Sequence, residues 1–300
     1  MTAPLRVVQL SDLHFSTAPG GYGLRDTSET FAAIAADVRN DPPDLVVVTG
    51  DIANEGRPEE YELAGAALEA LDVPVFCLSG NHDFTDAFHA HLPRPGIVAV
   101  RSLRIGEWLF LFGDSNDGGL VFDPSDGWVD HPDRMELARG GIHDHELAWL
   151  RRQLDLGAAA YAMLWLHHPP AAPGMFTQLE FDAQITALCD TTTSTATPLR
   201  AIGAGHVHTG VEGVIADVPV FFCPSTGVCI DFETSRLMPP GYRRYEFRAD
   251  GSIGAEVVWL DDERWNERWP LPDWAVEYLS GRLSEEEMNE RRARMRDGSP

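Results

Sequence analysis

Five short apolar runs in this 300-residue chain each end on side chains able to bind a metal ion. Residues 5–10 (LRVVQL) lead to Asp12 and His14. Residues 44–50 (DLVVVTG) lead to Asp51, and residues 73–80 (VPVFCLSG) to Asn81, His82 and Asp83. Residues 161–167 (YAMLWLH) close on His167 and His168, and residues 199–205 (LRAIGAG) lead to His206 and His208. Runs of this length, bounded by glycine and polar residues, read as buried strands. In sheets with parallel strands, ligands bind beyond the carboxyl ends of the strands. A single Asp-x-His is an ordinary turn and a single Asn-His-Asp an ordinary cap; five such ends point to one site. The two histidines of GAGHVHTG (203–210) would face opposite sides of a strand, whereas a tight loop can turn both toward one point.

The donor types narrow the chemistry. Imidazole, carboxylate and an amide oxygen suit Zn, Mn or Fe, and no thiolate falls at these positions. A carboxylate can bridge two ions, so the set suits two divalent or trivalent transition-metal ions about 3.5–4 Å apart. The formal net charge is −24, and all 23 basic residues are arginine. The absence of lysine excludes a P-loop lysine and a Schiff-base lysine. So acidic a chain is a poor partner for a nucleic acid polymer, whose binding rests on neutralising phosphates. A small phosphoester remains open as substrate, because two divalent cations outweigh Asp12 and Asp51 locally.

Between the runs, helical patterns cover about 27–40, 58–71, 143–156 and 178–189, and 106–115 reads as a further strand. Beyond 205 the chain turns to short strands of antiparallel character. The sum is an α/β protein with a mixed sheet and a second sheet packed on it. Residues 1–260 read as the catalytic domain and 261–300 as a charged extension carrying Trp265, Trp269 and Trp274, with Ser284 and Glu287 at capping-box spacing. Residues 116–142, rich in Gly, Asp and Pro, read as a long exposed loop. His89, His91, His143 and His145 read as surface residues, and Arg243 and Arg244 as a strand-edge surface pair. The four cysteines lack C-x-x-C spacing and read as buried free thiols. No run approaches the roughly 18 apolar residues of a membrane span. The amino terminus lacks a signal-peptide pattern, which sets the expectation of a cytoplasmic enzyme. Oligomeric state is left open, a homo-oligomer included.

Taken together, the motifs resemble the calcineurin-like metallophosphoesterase family. The matching blocks are Asp12-x-His14, Gly50–Asp51, Gly80–Asn81–His82–Asp83, His167 and Gly205–His206-x-His208, in order over roughly residues 5–230. GDIANEGRPEEY (50–61), LHHPP (166–170) and PSTG…PGYRRYEF (224–247) are similar to the class III cyclic nucleotide phosphodiesterase branch. The resemblance implies a four-layer α/β/β/α sandwich of two mixed sheets. It implies that Asp12, His14, Asp51 and His208 hold one ion, that Asp51 bridges, and that Asn81, His167 and His206 complete the second. His82 would be a hydrogen-bond donor or general acid toward the substrate, Asp83 would orient it, and His168 would support from behind His167. The implied activity is hydrolysis of a small phosphodiester, a cyclic nucleotide included, by in-line attack of a hydroxide shared between the ions. A phosphomonoesterase and a glycerophosphodiesterase are the alternatives; a non-catalytic metal-binding scaffold would lack a ligand, and all are present. Two departures stand out. Asn54 occupies the place where purple acid phosphatases carry a tyrosine ligand, so no tyrosinate–iron charge transfer is expected. The long loop at 116–142 would reshape the substrate pocket of the cyclic nucleotide branch.

Overall fold

The computed structural model describes residues 3–17, 25–116, 140–172, 178–192, 195–231, 236–260 and 263–265, with residues 277 and 287. In chain order the elements are β1 (Leu5–Leu10), α1 (Thr27–Asn40), β2 (Leu45–Thr49), α2 (Pro58–Glu69), β3 (Val75–Leu78), α3 (Thr85–His91), β4 (Ile97–Ala99), β5 (Ser102–Ile105) and β6 (Trp108–Phe112). There follow α4 (Asp144–Asp155), β7 (Tyr161–Trp165), α5 (Leu179–Thr192), β8 (Leu199–Ala204), β9 (Glu212–Ile215), β10 (Val218–Phe222), β11 (Cys229–Asp231), β12 (Arg236–Met238), β13 (Gly241–Phe247) and β14 (Ile253–Trp259).

One six-stranded sheet has the order β14-β13-β1-β2-β3-β4 and the other β5-β6-β7-β8-β10-β9. Strands β1 to β4 run parallel, with β13 and β14 added antiparallel on the β1 side. In the second sheet β6, β7, β8 and β10 are parallel, flanked by antiparallel β5 and β9. The antiparallel reading of the chain beyond 205 therefore holds for the pairs β9–β10, β11–β12 and β13–β14, and β10 adds a parallel pairing with β8 on its other edge. That strand returns alongside β8 through the β9 turn, and its sequence does not record which neighbour it meets.

Side-chain alternation builds four layers. Val7 and Val47 face the second sheet and, with Tyr245 and Phe247 of β13, meet its Phe110 and Trp165 in a core rich in aromatic rings. Their neighbours Val8, Val46 and Val48 face the opposite way, onto Phe31 and Ile34 of α1, Tyr61 and Leu68 of α2, and Phe88 of α3. In the second sheet Trp108, Phe110 and Phe112 point inward, while Leu109 and Leu111 pack against Leu150 and Leu154 of α4 and Phe181 and Ile185 of α5. The architecture is thus the expected α/β/β/α sandwich. Strand β8 departs from simple alternation: Leu199 faces the helices and Ala201 the other sheet. An irregularity lets Ala162 pair with Leu199 while Met163 pairs with Ala201, so Arg200 is the extra residue of a bulge.

Local signals place the helices. Asp26 caps α1 by accepting the Ser28 N–H at 2.9 Å. Pro58 opens α2, and the Glu60 carboxylate reaches back to the N–H groups of Glu55 and Arg57 at 2.8 and 3.1 Å. Arg243 corrects the surface reading given to it. It is 1% exposed, and its guanidinium donates to the carbonyls of Phe222 and Val211 at 2.8 Å each, tying β13 to β10. All four cysteines are buried and free.

Trp265 is buried beneath the Arg25 guanidinium, which also donates to its carbonyl, so residues 263–265 pack on the body of the protein. Most of the 116–142 loop, Trp269, Trp274 and the capping-box residue Ser284 lie outside the described residues. Among those described, no helix is long and apolar enough to cross a membrane.

Candidate metal centre

The carboxyl ends of β1, β2, β3, β7 and β8 converge, and the loops that follow them bring together all seven predicted donors. How they do so is written in the backbone. Asp12, His14, Asp51, His206 and His208 have φ of 54°, 46°, 50°, 68° and 52°. They are five of the nine non-glycine residues in the left-handed region among the described residues. Each such residue costs about 1–3 kcal/mol and persists only where its surroundings enforce it. The left-handed turn is what lets donors two residues apart, 12 and 14 or 206 and 208, face one centre. Close packing leaves no alternative at Gly80, where a Cβ would overlap the Asp51 carboxylate.

The donors fall into two groups that share Asp51. Around Asp51 Oδ2, His14 Nε2 stands 3.6 Å away, His208 Nε2 is 3.3 Å from His14 Nε2, and Asp12 Oδ1 is 3.3 Å from His208 Nε2. Around Asp51 Oδ1, His167 Nε2 stands 3.4 Å away. Asn81 Oδ1 lies 2.9 Å from His167 Nε2 and 3.0 Å from His206 Nδ1. Donors bound to one ion at about 2.0–2.1 Å, with ligand angles near 90–109°, lie about 2.9–3.4 Å apart. The quoted distances fall in this range save that between His14 Nε2 and Asp51 Oδ2, which at 3.6 Å is slightly longer, and the His/Asp clusters among them could hold a cation.

Backbone carbonyls set the rings. His167 Nδ1–H donates to Thr49 O at 2.8 Å and His208 Nδ1–H to Val228 O at 2.6 Å, which leaves each Nε2 lone pair facing the centre. Beneath lies a buried polar layer. Thr27 Oγ1–H donates to His14 O, Ser225 Oγ–H to Asp12 O, and the Gln9 amide bridges Thr49 Oγ1 and Ala204 O. That amide joins the two sheets directly under the site.

Electrostatics describes a centre that draws in positive charge. Burial pushes the Asp51 carboxyl up, but the imidazoles of His167, His82 and His14 outweigh it and hold the group well below the usual range. Asp12 is likewise lowered, with burial overcome by His208 and His167. Burial pulls His167 down, yet Asp51 and Asp12 raise it to about 9, and Asp12 raises His208 against the same penalty. A protonated ring has no lone pair for a metal, so binding must displace these protons. The apparent affinity for Zn²⁺ will therefore rise with pH, by up to about tenfold per unit for each proton displaced, and level off near pH 9. Titration calorimetry at several pH values checks this; an affinity independent of pH contradicts it.

His82 is half-buried beside the first group, its ring 4.7 Å from that of His14 and edge-on to it. Its Nδ1–H donates to the carbonyl of Asn54 at 2.7 Å. Asp83, expected to orient His82, is engaged elsewhere. Its carboxylate accepts the N–H groups of Ile52, Ala53 and Gly80 at 3.1, 3.0 and 2.8 Å, clamping the loops after β2 and β3 together. Burial and the neighbouring Asp51 raise its pKa to about 6 against those three donors. The group that sets His82 is the Asn54 backbone, and a carbonyl partner leaves no mark in the residue pattern. Asp83→Ala strands three buried N–H groups, so the expected loss of stability is on the order of 3–5 kcal/mol, read by urea denaturation. A change under about 1 kcal/mol contradicts the clamp.

Of the other histidines, His89, His143 and His145 are exposed, as expected, and His143 stands at the N-cap position of α4. His168 is fully buried behind His167 and bonded to Ser115. The sequence reading missed Ser115, Ser225 and Thr27. Only Ser225 lay within a singled-out motif, PSTG.

A family model described as calcineurin-like phosphoesterase matches residues 5–210. The 3',5'-cyclic adenosine monophosphate phosphodiesterase CpdA of Escherichia coli (strain K12) is 27% identical, over 92% of this chain and 95% of its own. The glycerophosphodiester phosphodiesterase GpdQ of Enterobacter lignolyticus (strain SCF1) is 32% identical over 56% of this chain, which spans 58% of that relative's length. A dimetal phosphatase from Danio rerio shares the fold, with a TM-score of 0.58 at 13% identity, covering 86% of this chain and 99% of its own.

Proposed function

Since this chain belongs to the calcineurin-like phosphoesterase family, we propose that it hydrolyses a small phosphodiester, a 3',5'-cyclic nucleotide foremost, with two transition-metal ions as cofactors. The observation that carries this is the geometry at Asp51, whose two carboxylate oxygens face two separate donor groups. Asp12, His14, Asp51 and His208 would hold one ion; Asp51, Asn81, His167 and His206 would hold the other. When bound, Mn, Fe or Zn supplies Lewis acidity, bringing the pKa of water from 15.7 to about 7 and drawing charge from the phosphoryl oxygens.

The protein's own residues do the rest. The carbonyls of Thr49 and Val228 keep the ligand rings in the tautomer that offers Nε2. The three N–H bonds of Asp83 hold the loop bearing Asn81 against the loop bearing Asp51. His82, anchored through Nδ1–H, presents Nε2 to the substrate. As imidazolium it donates a hydrogen bond to a phosphoryl oxygen or a proton to the departing alkoxide. No nucleophilic side chain is required.

The cyclic nucleotide preference is supported by the CpdA relative, which aligns over nearly the whole chain. A glycerophosphodiester is the second reading, supported by the GpdQ relative at higher identity over a shorter span. The test compares bis-p-nitrophenyl phosphate with p-nitrophenyl phosphate, then 3',5'-cyclic AMP with glycerophosphocholine, on metal-loaded protein. The expected order of kcat/KM is diester above monoester and cyclic AMP above glycerophosphocholine. A preferred monoester overturns the diesterase reading, and preferred glycerophosphocholine selects the second one.

A further inference from the structure

Arg25 sits where three stretches of chain meet. It is buried, and it directly precedes the Asp26 cap of α1. Its Nη1–H donates to the carbonyl of Met238 in β12 at 3.0 Å, and its Nη2–H donates to the carbonyl of Trp265. The guanidinium carbon lies 5.3 Å from the centroid of the Trp265 ring, which is itself buried. The indole N–H makes no hydrogen bond among the described residues, so the ring acts through its face. A buried cation is costly unless its donors are satisfied. Arg25 therefore keeps its place only while β12 and residues 263–265 keep theirs. From Arg25 two paths lead to ligands of the first group. Two residues along the chain, buried Thr27 donates to His14 O at 2.8 Å, and its methyl group would stand 3.0 Å from a Cβ at Gly227. The Gly227 N–H in turn donates to Asp12 O at 3.2 Å. On the other path, Met238 pairs with Cys229, which follows Val228, and the Val228 carbonyl accepts the Nδ1–H of His208 at 2.6 Å. The second group has different supports, Thr49 O for His167 and the Asp83 clamp for the loop of Asn81.

We infer that Arg25 is a positioning residue for the first ion. Seated on Trp265, it locks residues 25–27 and the β11–β12 hairpin in the places from which His14 and His208 reach that ion. This rests on the proposed two-ion reading of the centre. Residues 263–265 thereby belong to the scaffold of the site, beyond the boundary at 260 read from the sequence.

The test titrates the full chain, stripped of metal, with Zn²⁺ against a competing chelator, in the wild-type, Trp265→Ala, Trp265→Phe and Arg25→Met forms. Wild-type protein is expected to bind two equivalents. Trp265→Ala and Arg25→Met are each expected to keep one site at wild-type affinity and to weaken the other about 10- to 100-fold, the range for losing a group that orients a ligand. Anomalous diffraction from Trp265→Ala crystals grown at limiting Zn²⁺ identifies the weakened site; the peak retained should lie among Asp51, Asn81, His167 and His206. Trp265→Phe keeps an aromatic face under the guanidinium and is expected to recover most of the affinity. Unchanged affinity at both sites in Trp265→Ala and Arg25→Met overturns the inference, as does equal weakening of both sites or a loss confined to the second. Wild-type protein that binds fewer than two ions overturns the two-ion reading and the inference with it. Should Arg25→Met not fold, the milder Trp265→Ala decides.

Discussion

Replacing Asp51 by alanine will empty both metal positions and abolish turnover. Asp51 reaches both donor groups, Oδ2 toward His14 and Oδ1 toward His167, so its loss removes a ligand from each. Losing a mere hydrogen-bond partner of a metal ligand costs about 10–100-fold in affinity or activity; losing a donor common to two ions exceeds that. The carboxylate also accepts the His82 N–H at 2.9 Å, so the loop carrying the candidate acid loses its anchor at the same stroke. Metal content after gel filtration and hydrolysis of bis-p-nitrophenyl phosphate read the result. Asp51→Asn keeps the shape and one oxygen donor while losing the charge, and separates misfolding from loss of ligation. Near-wild-type activity in Asp51→Ala contradicts the shared-carboxylate scheme.

His82→Ala will do the opposite on one axis, retaining metal while losing rate. The His82 ring stands beside His14 and is held by the Asn54 carbonyl, so its removal leaves both donor groups intact. The expected loss in kcat is about 10²–10⁴-fold, the range for a positioned acid or base. The loss should shrink with a diester whose leaving group is a weakly basic phenolate, because such a group departs without a proton. The contrast between p-nitrophenyl and alkyl esters is therefore the sharper readout. Equal loss on both ester types contradicts an acid role, and loss of metal places His82 among the ligands.

Much of this was readable in the residues because each donor sits where an apolar run stops. Val8, Val46, Val48 and their counterparts demand burial, the strands end where glycine breaks the pattern, and the first polar groups beyond fall at the sheet's carboxyl edge. The same runs point to an α/β protein with a second sheet packed on the first; the four-layer order was implied by the family resemblance. What stayed hidden has one physical character: it runs through backbone atoms or through pairing. The left-handed turns at Asp12 and His206, the Asn54 carbonyl on His82 and the Asp83 clamp on three N–H groups engage main chain, which every residue type shares. Parallel pairing of β10 with β8, the bulge at Arg200 and the burial of Arg243 depend on which strands become neighbours. Asp83 shows the limit well. Its position beside His82 suggested a side-chain partnership, whereas its energy is spent on the loops.

The central claim is that two ions share Asp51, and anomalous diffraction from crystals of the metal-loaded protein, collected at the absorption edge of the bound metal, addresses it most directly. Two peaks are predicted, about 3.5–4 Å apart. One should lie among Asp12, His14, Asp51 and His208, and the other among Asp51, Asn81, His167 and His206. A single peak, or a pair of which either fails to touch Asp51, contradicts the account.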